Sequence, residues 1–299
     1  MLGLNNSLIG SNYVDTTPTP YTEVYSASLD GTNDIITIAN SLGTKITQGE
    51  PGVWDTPFKP TSAITISFWA KPNAWDITNS QSYQQAFVSN IRTGGWDVSL
   101  DNTGSNVTTL TFQIAVTDDG GGGTDTRGYI TANINEATVE AFSGWKHIVA
   151  TYDGTTAKLY HNAGTGGVTN ATSASGTTIN YTTNSGDPVL KPGSATGHKD
   201  TQVNAIAIGG NTHHGYEYHG LIDNVAIWNV ALDAANVTKV YNSGDPFDLR
   251  SDSGDYDQSA NLIGFWQFEE NQGDTSEDLA GNAGVATLKN GAAFDTDVV

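Results

Sequence analysis

Gly144-Trp145-Lys146-His147-Ile148-Val149-Ala150-Thr151-Tyr152-Asp153-Gly154, followed at once by Ala157-Lys158-Leu159-Tyr160, decides the fold. The first part is dense in aromatic and β-branched residues, it stops at Asp-Gly, and a second apolar run begins directly. Asp-Gly tolerates the backbone angles of a tight hairpin loop, so the stretch reads as strand, turn, strand. The same period of two recurs on either side. Ile64, Ile66 and Phe68 alternate with Thr65, Ser67 and Trp69, and Leu110, Phe112, Ile114 and Val116 alternate with Thr111, Gln113 and Ala115. Ile35-Ile36-Thr37-Ile38 follows a turn at Asp30-Gly31-Thr32-Asn33, and further strands are predicted at 203–208, 221–228, 262–268 and 284–288. Many short alternating strands argue for an all-β, two-sheet antiparallel sandwich.

One segment departs from period two. Ala231 to Tyr241 reads as a short helix near residues 233–243, with Asp233 as N-cap, Val237, Val240 and Tyr241 on one face, and Gly244 able to close it. Residues 162–200 are rich in Gly, Thr, Ser and Asn and read as a long exposed excursion. Residues 1–21 are small and polar, end in a Pro-Thr-Pro run, and read as an extended arm. Residues 22–299 are read as one sandwich, with 260–299 supplying a late strand, because a lone strand and turn cannot bury their own apolar face.

Composition removes several functions. The 299 residues carry 32 Asp plus Glu against 12 Lys plus Arg, a net charge of −20, and no cysteine. Without cysteine there is no disulfide framework, thiolate metal site or cysteine nucleophile. Acidity and three scattered arginines, Arg92, Arg127 and Arg250, exclude phosphate-backbone binding. No window approaches the ~20 apolar residues of a membrane helix, and the opening Met1 to Gly10 lacks the pattern of a cleaved signal. There is no nucleophile elbow, no phosphate-binding Gly-Lys motif, and no run of alternating carboxylates suited to glycoside hydrolysis. No enzymatic activity is expected.

Four stretches together resemble the laminin-G-like, concanavalin-A-like jelly-roll family. They are Ser28 to Ile38, Ile64 to Pro72, the hairpin Gly144 to Gly154, and Gly220-Leu221-Ile222-Asp223-Asn224-Val225-Ala226-Ile227-Trp228-Asn229 with the helix after it. Leu262 to Glu270 looks like a piece that often opens such domains, here placed last. The opening residues and overall style resemble structural proteins of marine tailed phages. The resemblance implies a jelly roll, carbohydrate binding, and a structural calcium near the sandwich edge, whose matching positions are Asp30, Gly31, Asp34 and Asp223. Asp223 alternates with Leu221, Val225 and Ile227 and is expected to point to the apolar side, where a carboxylate needs a cation or several donors. The competing reading gives Asp30 and Asp34 to the turn.

Sugar contacts are expected from exposed aromatics. Trp54, Trp75 and Tyr83 lie in loop-like segments, and His214, Tyr216 and Tyr218 share one face of an extended stretch whose other face carries His213, Glu217 and His219. Trp69, Trp96, Trp145, Trp228 and Trp266 lie in strands and are expected in the core, as is His147. The function these features point to is a phage virion structural or accessory protein, made in the host cytoplasm and residing in the virion. It would be anchored to other virion proteins by the arm, contact host polysaccharide, and be compatible with a homo-oligomer. The alternative is a free, calcium-assisted lectin or adhesin.

Overall fold

The structure, a computed structural model, describes residues 22–44, 46, 53–77, 84–90, 94–102, 107–117, 127–170, 176–181, 205–211 and 216–299. In chain order its strands begin with β1 (Ser26–Asp30), β2 (Ile35–Ile38), β3 (Ile64–Pro72), β4 (Gln84–Ser89) and β5 (Trp96–Asn102). β6 (Thr108–Thr117) and β7 (Arg127–Ile134) precede a single helical turn, α1 (Glu136–Val139). The hairpin β8 (Lys146–Tyr152) and β9 (Thr156–His161) follows, then β10 (Gly164–Asn170), β11 (Ala207–Ile208) and β12 (His219–Trp228). After helix α2 (Ala234–Tyr241) come β13 (Leu262–Trp266), β14 (Thr275–Ser276), β15 (Ala286–Lys289) and β16 (Ala293–Asp295).

These strands form two antiparallel sheets. Sheet 1 runs β10-β9-β8-β3-β12-β1-β16, with β13 also paired to β12. Sheet 2 runs β14-β15-β2-β11-β4-β5-β6-β7. The late segment is shared between the layers: β13 pairs β12, β16 pairs β1, and β15 pairs β2. Inward residues interdigitate in one core, Ile66, Phe68, Ile148 and Ile222 from sheet 1 facing Phe87, Val98, Phe112 and Ile114 from sheet 2. Each such burial stabilises by roughly 1.5–3 kcal/mol.

Sheet 1 has a second apolar layer on its outer side. Val149, Tyr160, Ala226, Trp228 and Phe265 of this sheet pack under Val237 and Val240 of α2 and under Leu249 and Tyr256. With both faces covered, β3 is buried almost throughout, including its polar Thr65 and Ser67. Helix α2 starts at Asp233, whose side chain accepts from Asn236 N at 2.8 Å. It ends on Asn242 in the left-handed region (φ 45°), two residues before the glycine expected to close it. The 162–200 reading is corrected at its start, where β10 occupies a Gly-rich stretch. A Cβ on Gly166 would lie 2.3 Å from Ile134, and one on Gly167 2.3 Å from Asn133 O, so only glycine lets this strand pass β7. No helix among the described residues is long and apolar enough to cross a membrane.

Candidate functional site

The expected calcium ligands do not converge. In the β1–β12 register Asp30 lies opposite His219, and Asp223 is four residues further along, roughly 13 Å at strand rise. Asp30 serves its own turn, its Oδ1 accepting from Thr32 N at 2.8 Å and Asn33 N at 3.4 Å. Asp34 closes the same turn by accepting from Asp30 N at 2.9 Å. Gly31 sits at φ 74° against His219, whose Cβ would be 2.6 Å from an added Cβ, so its role there is conformational.

Asp223 does not point to the main core either. The β12–β3 pairing slips between Asp223 and Ala226, with Asn224 at φ 47°. This bulge puts Ile222, Val225 and Ile227 inward and leaves Asp223 on the outer side of sheet 1, where it is fully buried. There it meets Glu23 and Glu269. Burial, followed by the charge of Glu23, holds the Asp223 carboxyl well above its usual range, and burial pushes Glu23 up to about 7. Glu269 accepts from Val24 N at 3.0 and 3.1 Å. Asn224 donates its side-chain amide to Glu23, and its N–H donates to Asp223 Oδ1 at 2.7 Å. Asp223 Oδ2, Glu23 Oε2 and Asn224 Oδ1 are buried without partners. A buried and a half-buried carboxylate with an amide oxygen fit a hard cation. No group of three or more His, Cys, Asp or Glu able to hold a metal ion occurs among the described residues, so amide and backbone oxygens would complete the set.

A second polar cluster lies on the outer face of sheet 2. With Trp96, Val98 and Leu100 inward, Asp97, Ser99 and Asp101 share the outward face of β5. Asp97 and Asp101 sit at i and i+4 of this strand, a spacing that differs from the alternating carboxylates of glycoside hydrolysis. Gln84 Nε2 donates to Asp97 Oδ2 and to Ser99 Oγ, each at 2.9 Å, and Ser99 Oγ donates to Asp101 Oδ1 at 3.2 Å. Asp97 is only 1% exposed, and its Oδ1 has no partner. Burial, then the neighbouring Asp101 charge, pushes its carboxyl up to about 7, and burial also raises Asp101. Ser89 and Thr111 complete a buried floor, while Gln84, Asp101, Gln113 and Tyr216 stay half-buried at the rim. Burial, then the charges of Asp97 and Asp101, hold the Tyr216 hydroxyl above its usual value.

The aromatic expectations divide. Trp54 and Trp75 are each only 6% exposed. Lys59 Nζ sits 4.2 Å from the Trp54 ring centre, and Trp75 packs edge-on to Phe142 and donates to Gly144 O at 3.2 Å. Tyr218 is fully buried against Phe87, its hydroxyl donating to Leu221 O at 2.9 Å. These three are core groups, because loop-like local sequence hides packing from distant segments. Tyr216 stands at φ 54°, so the stretch is not extended there. Tyr83, His213 and His214 lie outside the described residues. Among the strand tryptophans, Trp145 is half-buried and donates to Asp297 at 3.2 Å, while the other four are buried. His147 is buried between Trp69 and Tyr241 and paired with Ser67 Oγ at 2.8 Å. Burial lowers it to about 3 and keeps it neutral.

The two antiparallel layers with one short helix against them form a jelly-roll-type sandwich. A laminin G-type family model, described as the Concanavalin A-like lectin/glucanases superfamily, matches residues 30–193, more than half of the chain. The chain belongs to this superfamily. Among solved structures it is similar to a candidate carbohydrate binding protein from Bacteroides ovatus, with 14% identity and a TM-score of 0.54. That match covers 93% of this chain, which spans 61% of the length of the other. A heptameric pentraxin from Limulus polyphemus matches with 12% identity, a TM-score of 0.43, and coverage of 89% of this chain and 94% of its own. No curated protein matches the sequence.

Proposed function

We propose that the chain is a non-catalytic carbohydrate-binding module that takes a glycan on the outer face of sheet 2. The observation that supports this most is the polar floor around Asp97, with an unsatisfied carboxylate oxygen below half-buried Asp101, Gln113 and Tyr216. Sugar hydroxyls donate to such oxygens, and the Tyr216 ring offers an apolar surface to the sugar face. Calcium belongs to the proposal as a structural ion at Glu23, Asp223 and Asn224, in place of the set first expected around Asp30. When bound there it neutralises buried like charges and ties the chain before β1 to β12.

The proposal extends to virion display, with residues 1–21 as the attachment arm to other virion proteins and host polysaccharide as the ligand. It rests on the sequence of the opening segment and on the acidity of the chain. A free lectin or adhesin is the alternative. A glycan array, run in calcium and in chelator, tests the binding reading: signal lost in Tyr216→Ala supports it, and no signal under any condition overturns it. Release of reducing ends from a bound glycan would overturn the non-catalytic part. Mass spectrometry of purified particles tests display, which fails if the chain is absent from them.

A further inference from the structure

We propose that the outer face of sheet 1, where β1, β12 and β3 run side by side, docks an acidic peptide of a partner protein, and that residues 295–299 of the chain occupy part of this groove as a resident stand-in. Ser28 pairs with Leu221 and Leu221 with Lys71, so these three stand abreast across the three strands. Their sequence neighbours Leu29, Ile222 and Ala70 belong to the core, so the row faces outward. After β16 the chain lies against this row. Ser26 Oγ donates to the Asp297 carbonyl at 2.7 Å, Trp145 Nε1 donates to Asp297 Oδ1 at 3.2 Å, and Lys71 Nζ donates to Asp297 Oδ2. A short acidic peptide is thus already held here, through one backbone oxygen and one carboxylate.

The resident contact is exchangeable. The Lys71 and Asp297 side chains are 36% and 45% exposed, and an ion pair so exposed is weak and yields to a competing carboxylate. The groove also extends past the stand-in. A cavity of about 310 Å³ opens beside Lys71, with Ser28, Asn73 and His219 in its wall. Among the described residues no acidic side chain lines it, although the chain carries a net charge of −20. Asp30, across from His219, gives its carboxylate to its own turn. Lys71 and His219 are diagonal neighbours on adjacent strands, a separation of roughly 7–8 Å. Acidic side chains at i and i+2 of an extended peptide share one face about 6.5–7 Å apart, which matches that pair of basic groups. Residues 295–299 supply only one of the two carboxylates, because Asp295 Oδ1 accepts from Asp297 N instead. A peptide free to present both gains a contact that the stand-in does not make.

Fluorescence polarisation of the full chain with a labelled synthetic peptide, Asp-Thr-Asp-Val-Val, tests the groove. Wild type is compared with Asp297→Ala and Lys71→Met, each checked for folding by circular dichroism. Asp297→Ala removes the resident carboxylate and is expected to bind roughly fivefold tighter than wild type. Lys71→Met is expected to bind at least fivefold more weakly than wild type. The same peptide with Asn in place of both Asp residues is expected not to bind, a comparison that needs no protein variant. Absence of binding in both wild type and Asp297→Ala overturns the groove, as does unchanged affinity in folded Lys71→Met or equal binding of the Asn peptide. Galacturonate competing as well as the unlabelled peptide overturns the peptide as occupant. The glycan reading concerns the other sheet, so its failure leaves this groove standing.

Discussion

On the outer face of each sheet a buried aspartate stands beside a half-buried carboxylate, and the surroundings of the two pairs differ. Asp223 and Glu23 lie on sheet 1 beside Glu269, on the face roofed by α2 and the segment that follows it. Asp97 and Asp101 lie on sheet 2, where the neighbouring side chains are polar and the rim is half-buried. The first pair is built into the joint between the chain before β1, the bulge in β12 and the residues after β13. The second sits on a regular strand with nothing to join. Buried charge at a joint suits a structural ion, whereas buried charge on an open strand face suits ligand recognition.

The difference between the two faces can be broken by removing the apolar roof. Trp228→Ala, under α2, is expected to destabilise by about 3–5 kcal/mol in urea unfolding. Gln113→Ala, at the rim of sheet 2, is expected to stay within about 0.5 kcal/mol. Equal effects would mean that the two faces are not differently covered.

The next effect is a pH dependence. In chelator, folded Asp97 keeps its proton up to about pH 7 while the unfolded chain releases it near the ordinary carboxylate value. The folded state binds more protons in that window, so its stability falls as pH rises from about 4 to 7 and levels off above. Asp97→Asn removes this contribution, on the order of a few kcal/mol, and flattens thermal melts across the window. An unchanged slope would show that Asp97 is not held protonated by burial.

Glu23→Gln sharpens the contrast on the other sheet. In chelator at neutral pH the variant is expected to melt higher than wild type, because burial disfavours the Glu23 charge and Glu269 repels it. With calcium present the order is expected to reverse. The smallest effect is expected at the turn: Asp30→Asn, measured by the same melts with and without calcium, is expected to cost under about 1 kcal/mol. It should leave calcium binding unchanged, because the Asp30 carboxylate accepts from Thr32 and Asn33 of its own loop.

Much of the sandwich was legible in residue patterns. Ile64 to Phe68 and Leu110 to Val116 alternate because one face meets the core, and the Asp153-Gly154 turn joins β8 to β9 in their antiparallel register. The Asp233 cap was legible for the same local reason. What escaped depends on contacts distant in sequence. The Gly166-Gly167 pair carries no apolar signal, since Gly166 makes room for the Ile134 side chain and Gly167 for the Asn133 backbone of β7. The bulge at Asn224 reverses the direction of Asp223, and period two alone does not reveal it. Trp54 looks exposed until Lys59 and Tyr181 are placed near it. Asp97-x-Ser99-x-Asp101 was readable as one strand face, and only its burial distinguishes it from an ordinary solvated edge.

A crystal structure of the chain with an array-selected glycan tests the central claim most directly. The glycan is predicted to lie on the outer face of sheet 2, within hydrogen-bond reach of Asp97 or Asp101 and against the Tyr216 ring. A glycan bound elsewhere, with that face untouched, would contradict it.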